Sequence, residues 1–293
     1  FEELEFKTLI NKFLNKGEVK SKTDNNQLDL FAENTTNESS GPKFAKYESI
    51  KTNQHEYQLI ENEGELRQLC DFFITKEFIS IDTETTSTDA ISAELVGLSF
   101  SAEESKAFYV PVPANYEEAL KVVQIFKPLY ECDKIMKIGQ NIKYDYEVLT
   151  RYGVTIQGKM FDTMIAHYLI QPELHHNMDY LAETLLGYQT IHIEELLGPK
   201  GKKQKNMRDV SPADIYEYAA EDADITLRLK NVLEPRLKEL GVKELFWNIE
   251  MPLVRVLADM ELNGVCLDTE ALQDTSKIFN ERMRENEQEI YKE

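Results

Sequence analysis

Apolar positions recur along the chain with two periods, which separate strands from helices. In E77-F-I-S-I-D-T-E-T85 a compact apolar run ends in polar residues, the pattern of a buried strand. A93-E-L-V-G-L-S-F-S101 and A107-F-Y-V-P-V112, parted by a polar turn, predict two more strands that extend the first one antiparallel. A short strand, K134-I-M-K-I138, follows later, and Gly139 and Asn141 break it. Helical spacing marks residues 1–14, with Leu4, Phe6, Leu9, Ile10, Phe13 and Leu14 mostly on one face. It returns in G64-E-L-R-Q-L-C-D-F-F73, Tyr116 to Tyr130 and I142-K-Y-D-Y-E-V-L-T-R-Y152, and dominates from Asp162 to Leu240. Ser211 as N-cap, Pro212 at N1 and Asp214 at N3 mark one helix start. From about Asn15 to Ser49 the chain is too polar to bury a core and reads as a linker, with ordered structure predicted to resume near Tyr57. Strands first, then alternating helices and a strand, predict an α/β fold with a mixed sheet and helical extensions at both ends.

The first strand raises a chemical question. A strand alternates faces with period two, so Asp82 and Glu84 project to the same side. Like charges so placed repel unless a cation lies between them. Asp145, early in the helix after the fourth strand, leaves the sheet at its carboxyl end, where α/β folds bind ligands. In Y216-E-Y-A-A-E-D-A-D224, Tyr218 and Asp222 share a helix face, whereas Glu221, Asp222 and Asp224 cannot all face one site. Asp162 reads as the N-cap of the helix that follows it.

Composition narrows the classes. The 293 residues are 42% hydrophobic, enough for a sizeable core, and carry a net charge of -20 from 53 acidic and 33 basic residues. Such a surface repels nucleic acid at long range, which argues against a DNA-coating protein but not against an enzyme that takes a nucleic-acid end into a metal-filled cleft. Cys70, Cys132 and Cys266 are far apart and form no metal or redox pair, which predicts reduced cytosolic thiols. No apolar run is long enough to span a membrane and no signal peptide is visible. The chain starts at Phe1 without Met and stops within a helical pattern, so it reads as a fragment of something longer.

In combination, I-D-T-E-T, G-Q-N-I-K-Y-D, F-D-T-M and Y-A-A-E-D-A-D closely resemble the proofreading 3′–5′ exonuclease domain of bacterial DNA polymerase I, polymerase family A. The resemblance covers roughly residues 50 to 240, including A93-E-L-V-G-L-S-F and M178-D-Y-L-A-E. It implies a ribonuclease H-like, DnaQ-like fold whose mixed β-sheet is flanked by helices. It also implies four acidic metal ligands and a tyrosine, which fall here on Asp82, Glu84, Asp145, Asp222 and Tyr218. By the same resemblance residues 1–14 look like the end of a 5′-nuclease region, 15–49 a linker, 50–240 the exonuclease domain, and 241–293, with I249-E-M-P-L-V-R-V-L-A-D-M-E-L-N-G-V265, the start of a polymerase region. Thr88 stands where a leucine can wedge against the terminal base, His175 where an arginine can contact substrate, and Ile193 where an aromatic is usual.

The implied reaction is hydrolysis of the 3′-terminal phosphodiester of DNA, releasing nucleoside monophosphates. Two Mg²⁺ ions, replaceable by Mn²⁺, serve it at a separation of roughly 3.5–4 Å. Hard oxygen ligands suit these ions, and no His/Cys cluster accompanies them to favour zinc. Asp82 would bridge both ions, Glu84 and Asp222 complete one, Asp145 hold the other through water, and Tyr218 orient the attacking water with Glu84. Thr83, Thr88, Gln140, Asn141, Tyr144 and His175 are the expected substrate contacts, with Tyr144 and Tyr146 as stacking surfaces and Lys143 and Lys200–Arg208 as backbone contacts. The expected partners are a single-stranded or frayed 3′ end and the remaining 5′-nuclease and polymerase regions of the same chain, in a monomeric, cytoplasmic, nucleoid-associated bacterial protein. Polymerase activity is not expected of this fragment. Rival readings are a ribonuclease D-like exoribonuclease, a catalytically silent structural module, and a phosphoaspartyl phosphatase, whose motif wants Asp-x-Asp where this chain has Asp-x-Glu.

Overall fold

The computed structural model describes residues 47–199, 201 and 204–292. The predicted helix over 1–14, most of the predicted linker, and Lys200, Lys202 and Lys203 of the basic loop lie outside the described residues. A short strand β1 (Glu48–Ser49) already falls within the expected linker, and β2 (Glu56–Leu59) starts one residue before Tyr57.

Helix α1 (Glu63–Ile74) is opened by Asn62, whose side chain accepts from the Gly64 N–H, and buries Leu66, Leu69, Cys70 and Phe73 on one face. It leads into β3 (Phe78–Thr85), which carries the two carboxylates inside the strand rather than beyond its end. Strands β4 (Leu95–Glu103) and β5 (Lys106–Pro111) extend β3 antiparallel, as predicted. Helix α2 (Tyr116–Tyr130) follows, then β6 (Met136–Gly139), parallel to β3. Helix α3 (Ile142–Arg151) leaves β6 through Asn141, held at φ 61° and ψ 48°. Asparagine tolerates this left-handed conformation, which gives the sharp strand-to-helix corner.

Strand β7 (Met160–Asp162) runs parallel to β6 and passes directly into α4 (Thr163–Ile170). Short segments follow: α5 (Met178–Leu181) continued by a π turn, β8 (Tyr188–Gln189) paired with β1, and α6 (Ile193–Leu197). Helix α7 (Pro212–Glu239) crosses the sheet. Its N-cap Ser211 donates to the Asp214 carboxylate at 2.6 Å instead of accepting from a helix N–H, a departure from the predicted cap. Beyond it come α8 (Lys243–Leu245), α9 (Met251–Asn263) and α10 (Thr269–Ile290).

The six-stranded sheet has the order β2-β5-β4-β3-β6-β7. Its core is built from Ile79, Ile81, Leu98, Phe100 and Ile138 of the strands and Phe73, Phe126 and Tyr130 of the covering helices. The mixed sheet flanked by helices is the predicted architecture. The parallel edge strand β2 is an addition to it. The three cysteines are unpaired, and no helix among the described residues is long and apolar enough to cross a membrane.

Candidate active site

The antiparallel ladder places Asp82 opposite Ser99 and Glu84 opposite Gly97. Gly97 has no room for a side chain: a Cβ there would lie 2.2 Å from the Tyr109 ring, which crosses over it from β5. Tyr109 thus walls the site beside Glu84, and the negative charge of Glu84 helps burial push the Tyr109 hydroxyl up. Sequence reasoning missed this residue. Its signal was the glycine inside an otherwise apolar strand, which marks a close approach.

Helix α7 brings Asp222 over β3. Carboxylate oxygens of Asp82, Glu84 and Asp222 all lie within 4.8 Å of one another. Glu84 and Asp222 are buried, and the Glu84 Oε1 is enclosed without a hydrogen-bond partner. No lysine or arginine among the described residues forms an ion pair with the trio. Burial pushes Asp82 up to about 6. Glu84 is raised well above the carboxylate range by burial and then by Asp82 and Asp145. Asp222 is raised by burial and then by Asp82 and Glu84. The three hard-oxygen donors, with an unsatisfied buried oxygen among them, fit a divalent cation.

Asp145 is buried beside the trio but not within it. The Thr83 hydroxyl, on the opposite face of β3, donates to its Oδ1 at 2.6 Å. Burial first, then Asp82, raises its carboxyl. Tyr218 lies one turn before Asp222 on the same helix, and the two groups are close enough to perturb each other. Burial and then Asp222, Glu84 and Asp82 raise the Tyr218 hydroxyl well above its ordinary value, so it stays protonated.

Asp162 is not in the cluster. Its Oδ1 accepts from Met164 N at 2.8 Å and Ile165 N at 3.0 Å, the predicted N-cap, and its Oδ2 accepts from Ile142 N at 2.8 Å, capping α3 as well. Glu221 and Asp224 also point away. Glu221 accepts from the Tyr188 hydroxyl and Ile191 N, and Asp224 from the Tyr57 hydroxyl, Ser105 N and Arg228.

The expected substrate residues divide. Thr88, Asn141 and His175 are exposed, with His175 against the Tyr180 ring. Gln140 has both ends of its amide bonded inside the protein, Nε2 to the His176 carbonyl at 2.7 Å and Oε1 to the Thr163 hydroxyl. His176 in turn faces the buried His167, with Nδ1 atoms 2.7 Å apart. The Tyr144 hydroxyl is tied to Thr85 and the Ser87 carbonyl, so it anchors the loop after β3. Three expectations are corrected. Tyr146 is 5% exposed and offers no stacking face. Arg208 donates to the Val112 and Leu95 carbonyls, tying the start of β4 to the residue just after β5. Lys143 is engaged by Glu261. All three corrections come from partners distant in sequence.

A sheet of this order with its acidic trio defines the ribonuclease H-like class of DnaQ-type exonuclease folds. A family model described as 3′–5′ exonuclease matches residues 57–238. DNA polymerase I of Pseudomonas aeruginosa is 40% identical over 225 residues, 73% of this chain and 24% of the relative. DNA polymerase I of Borreliella burgdorferi is 36% identical over 247 residues, 83% of this chain and 27% of the relative. The chain belongs to the 3′–5′ exonuclease family of DNA polymerase I, and spans about a quarter of the length of these curated relatives. A solved structure of Brucella melitensis NrnC with bound Mg²⁺ shares the fold, with a TM-score of 0.56 and 21% identity over 72% of this chain and 95% of NrnC.

Proposed function

We propose that the chain hydrolyses the 3′-terminal phosphodiester of DNA and releases nucleoside monophosphates, with Asp82, Glu84 and Asp222 holding a divalent cation. The convergence of these three carboxylates from β3 and α7 within 4.8 Å, with no basic residue paired to them among the described residues, carries the reading. Asp82 would serve both ions of a two-ion site, and Asp145 would help hold the second. Mg²⁺ is the resident ion and Mn²⁺ a substitute, in keeping with the Mg²⁺ bound by NrnC. When bound, the ions supply charge neutralisation at the phosphate and acidify the attacking water.

Tyr218 keeps its proton, and its hydroxyl orients the water together with Glu84. Thr83 holds Asp145 in place from behind the strand. The exposed Asn141, Thr88 and His175 contact the terminal nucleotides, and Tyr144 and Gln140 shape the loops that present them. The acidic surface favours an unpaired 3′ end that enters a narrow cleft over a duplex that spreads across the surface. Residues 50–240 form the exonuclease domain and 241–293 the start of a polymerase region. In the monomeric, cytoplasmic, nucleoid-associated bacterial protein, 5′-nuclease and polymerase regions of the same chain flank the domain.

The test is degradation of a 3′-labelled single-stranded DNA and of the matching RNA. DNA cleavage should vanish with chelator and return with Mg²⁺ or Mn²⁺. Undiminished cleavage in chelator, or preferential attack on the RNA, would overturn the reading.

A further inference from the structure

Helix α3 carries Asp145 on one face and a different set of contacts on the other. A helix turns about 100° per residue, so Lys143 and Glu147, each two positions from Asp145, lie about 160° around from it. That far face meets α9. The Lys143 ammonium pairs with the Glu261 carboxylate of α9 and lies 3.6 Å from Glu147 Oε1. Helix α9 is itself fixed to the domain. Met251, Val254 and Ala258 are buried, and Arg255 donates to the Gly158 carbonyl just before β7. Phe246 and Trp247, leading into α9, pack on Phe161 of β7 with ring centroids 4.9 and 6.0 Å apart. Helix α9 and the turn leading into it lie beyond the matched residues 57–238, whereas Lys143, Glu147, Gly158 and Phe161 lie within them.

We infer that α9 is a brace of the active site and that Lys143 and Glu261 are positioning residues for Asp145. The pair stands behind α3 and the Thr83 hydroxyl stands in front of it, so the helix is held from both sides at the level of the carboxylate. The inference rests on the proposed role of Asp145 as an outer ligand. A ligand displaced by a fraction of an ångström loses much of its effect on rate, although nothing in the first contact sphere has changed.

The test uses Lys143→Glu, Glu261→Lys, the double charge swap, and Glu261→Gln as the mildest variant, all in the full chain. Each single reversal should lower both Mn²⁺ affinity and single-turnover cleavage of a single-stranded oligonucleotide by about 10-fold, the usual scale for losing an outer support of a ligand. KM for DNA should stay unchanged, and the swap should restore most of both losses. Glu261→Gln should show a smaller loss of Mn²⁺ affinity in the same direction. Full activity in the single variants, no recovery in the swap, or a raised KM with unchanged kcat would overturn the brace. Asp145→Asn separates the two ideas. If it keeps Mn²⁺ affinity and activity, the ligand role itself fails. If it loses both while the pair variants lose neither, the brace alone fails.

Discussion

Thr83 and Asp145, on adjoining elements and 62 positions apart, are joined by a 2.6 Å hydrogen bond from the threonine hydroxyl to Asp145 Oδ1. The bond crosses from the back of β3 to the first turn of α3 and sets where the Asp145 carboxylate can point. Thr83→Val keeps the shape and removes the donor. It should lower single-turnover cleavage by about 10-fold with a parallel loss of Mn²⁺ affinity, as expected for an outer-shell partner, whereas Thr83→Ser should stay near the parent. Equal rates for the parent and the valine variant would show that Asp145 needs no such guide.

The acidic trio makes stability depend on pH in a definite sense. Asp82 sits at about 6 in the folded chain, above the ordinary carboxylate range, and Glu84 and Asp222 are raised too. The folded, metal-free chain therefore holds more protons than the unfolded chain, and its stability falls as pH rises from the ordinary carboxylate range through about 6 and beyond. A cation must displace those protons, so its stabilising effect should grow over the same window. The gain in Tm on adding Mg²⁺ should be larger at about pH 8 than at about pH 5. A gain independent of pH would mean that the ion binds elsewhere.

Tyr218 should matter for rate more than for binding. Its hydroxyl is close to Asp222, one turn away, and stays protonated. Tyr218→Phe should lower cleavage by about 30- to 1000-fold, the cost of about 2–4 kcal/mol for losing one positioned donor. Its Mn²⁺ affinity should stay close to the parent's, while Asp222→Ala should lose the ion as well. Isothermal titration of both variants decides it: comparable loss of Mn²⁺ would make Tyr218 a support of the cage and not a guide for water.

Asp162 serves a different purpose. Its carboxylate accepts from four backbone N–H groups, those of Asn141, Ile142, Met164 and Ile165. Asp162→Ala uncaps two helices at once and should destabilise the chain by about 2–4 kcal/mol, twice the cost of an ordinary cap. Asp162→Asn, with one accepting oxygen, should lose about half of that. Denaturant midpoints check the order, and a variant as stable as the parent would remove the double cap.

The sequence was informative where contacts are local. Period two put Asp82 and Glu84 on one face, and the i, i+4 relation put Tyr218 beside Asp222. Helix α2 (Tyr116–Tyr130) was readable to the residue from its local apolar spacing, and the structure adds the Asn115 cap at its start. Strands β1, β7 and β8 were not readable, since two or three residues show no periodicity. The partners of Lys143, Arg208 and Tyr146 were hidden for another reason: each is met only when distant segments fold together. The same holds for the second half of the Asp162 cap, which reaches back to Ile142 across 20 positions.

Glu221 and Asp224 flank Asp222 on α7 and face away from the active site. They act as keys. Glu221 engages Tyr188 and Ile191, and Asp224 engages Tyr57, Ser105 and Arg228. Rotating α7 or sliding it by one residue would break both sets and strand buried charge. The helix is therefore left almost no rigid-body freedom, and Asp222 is aimed by neighbours that never meet the substrate. Any opening of the site to admit or release a strand must come from the surrounding loops, because the helix that carries Asp222 is locked in rotation and in register.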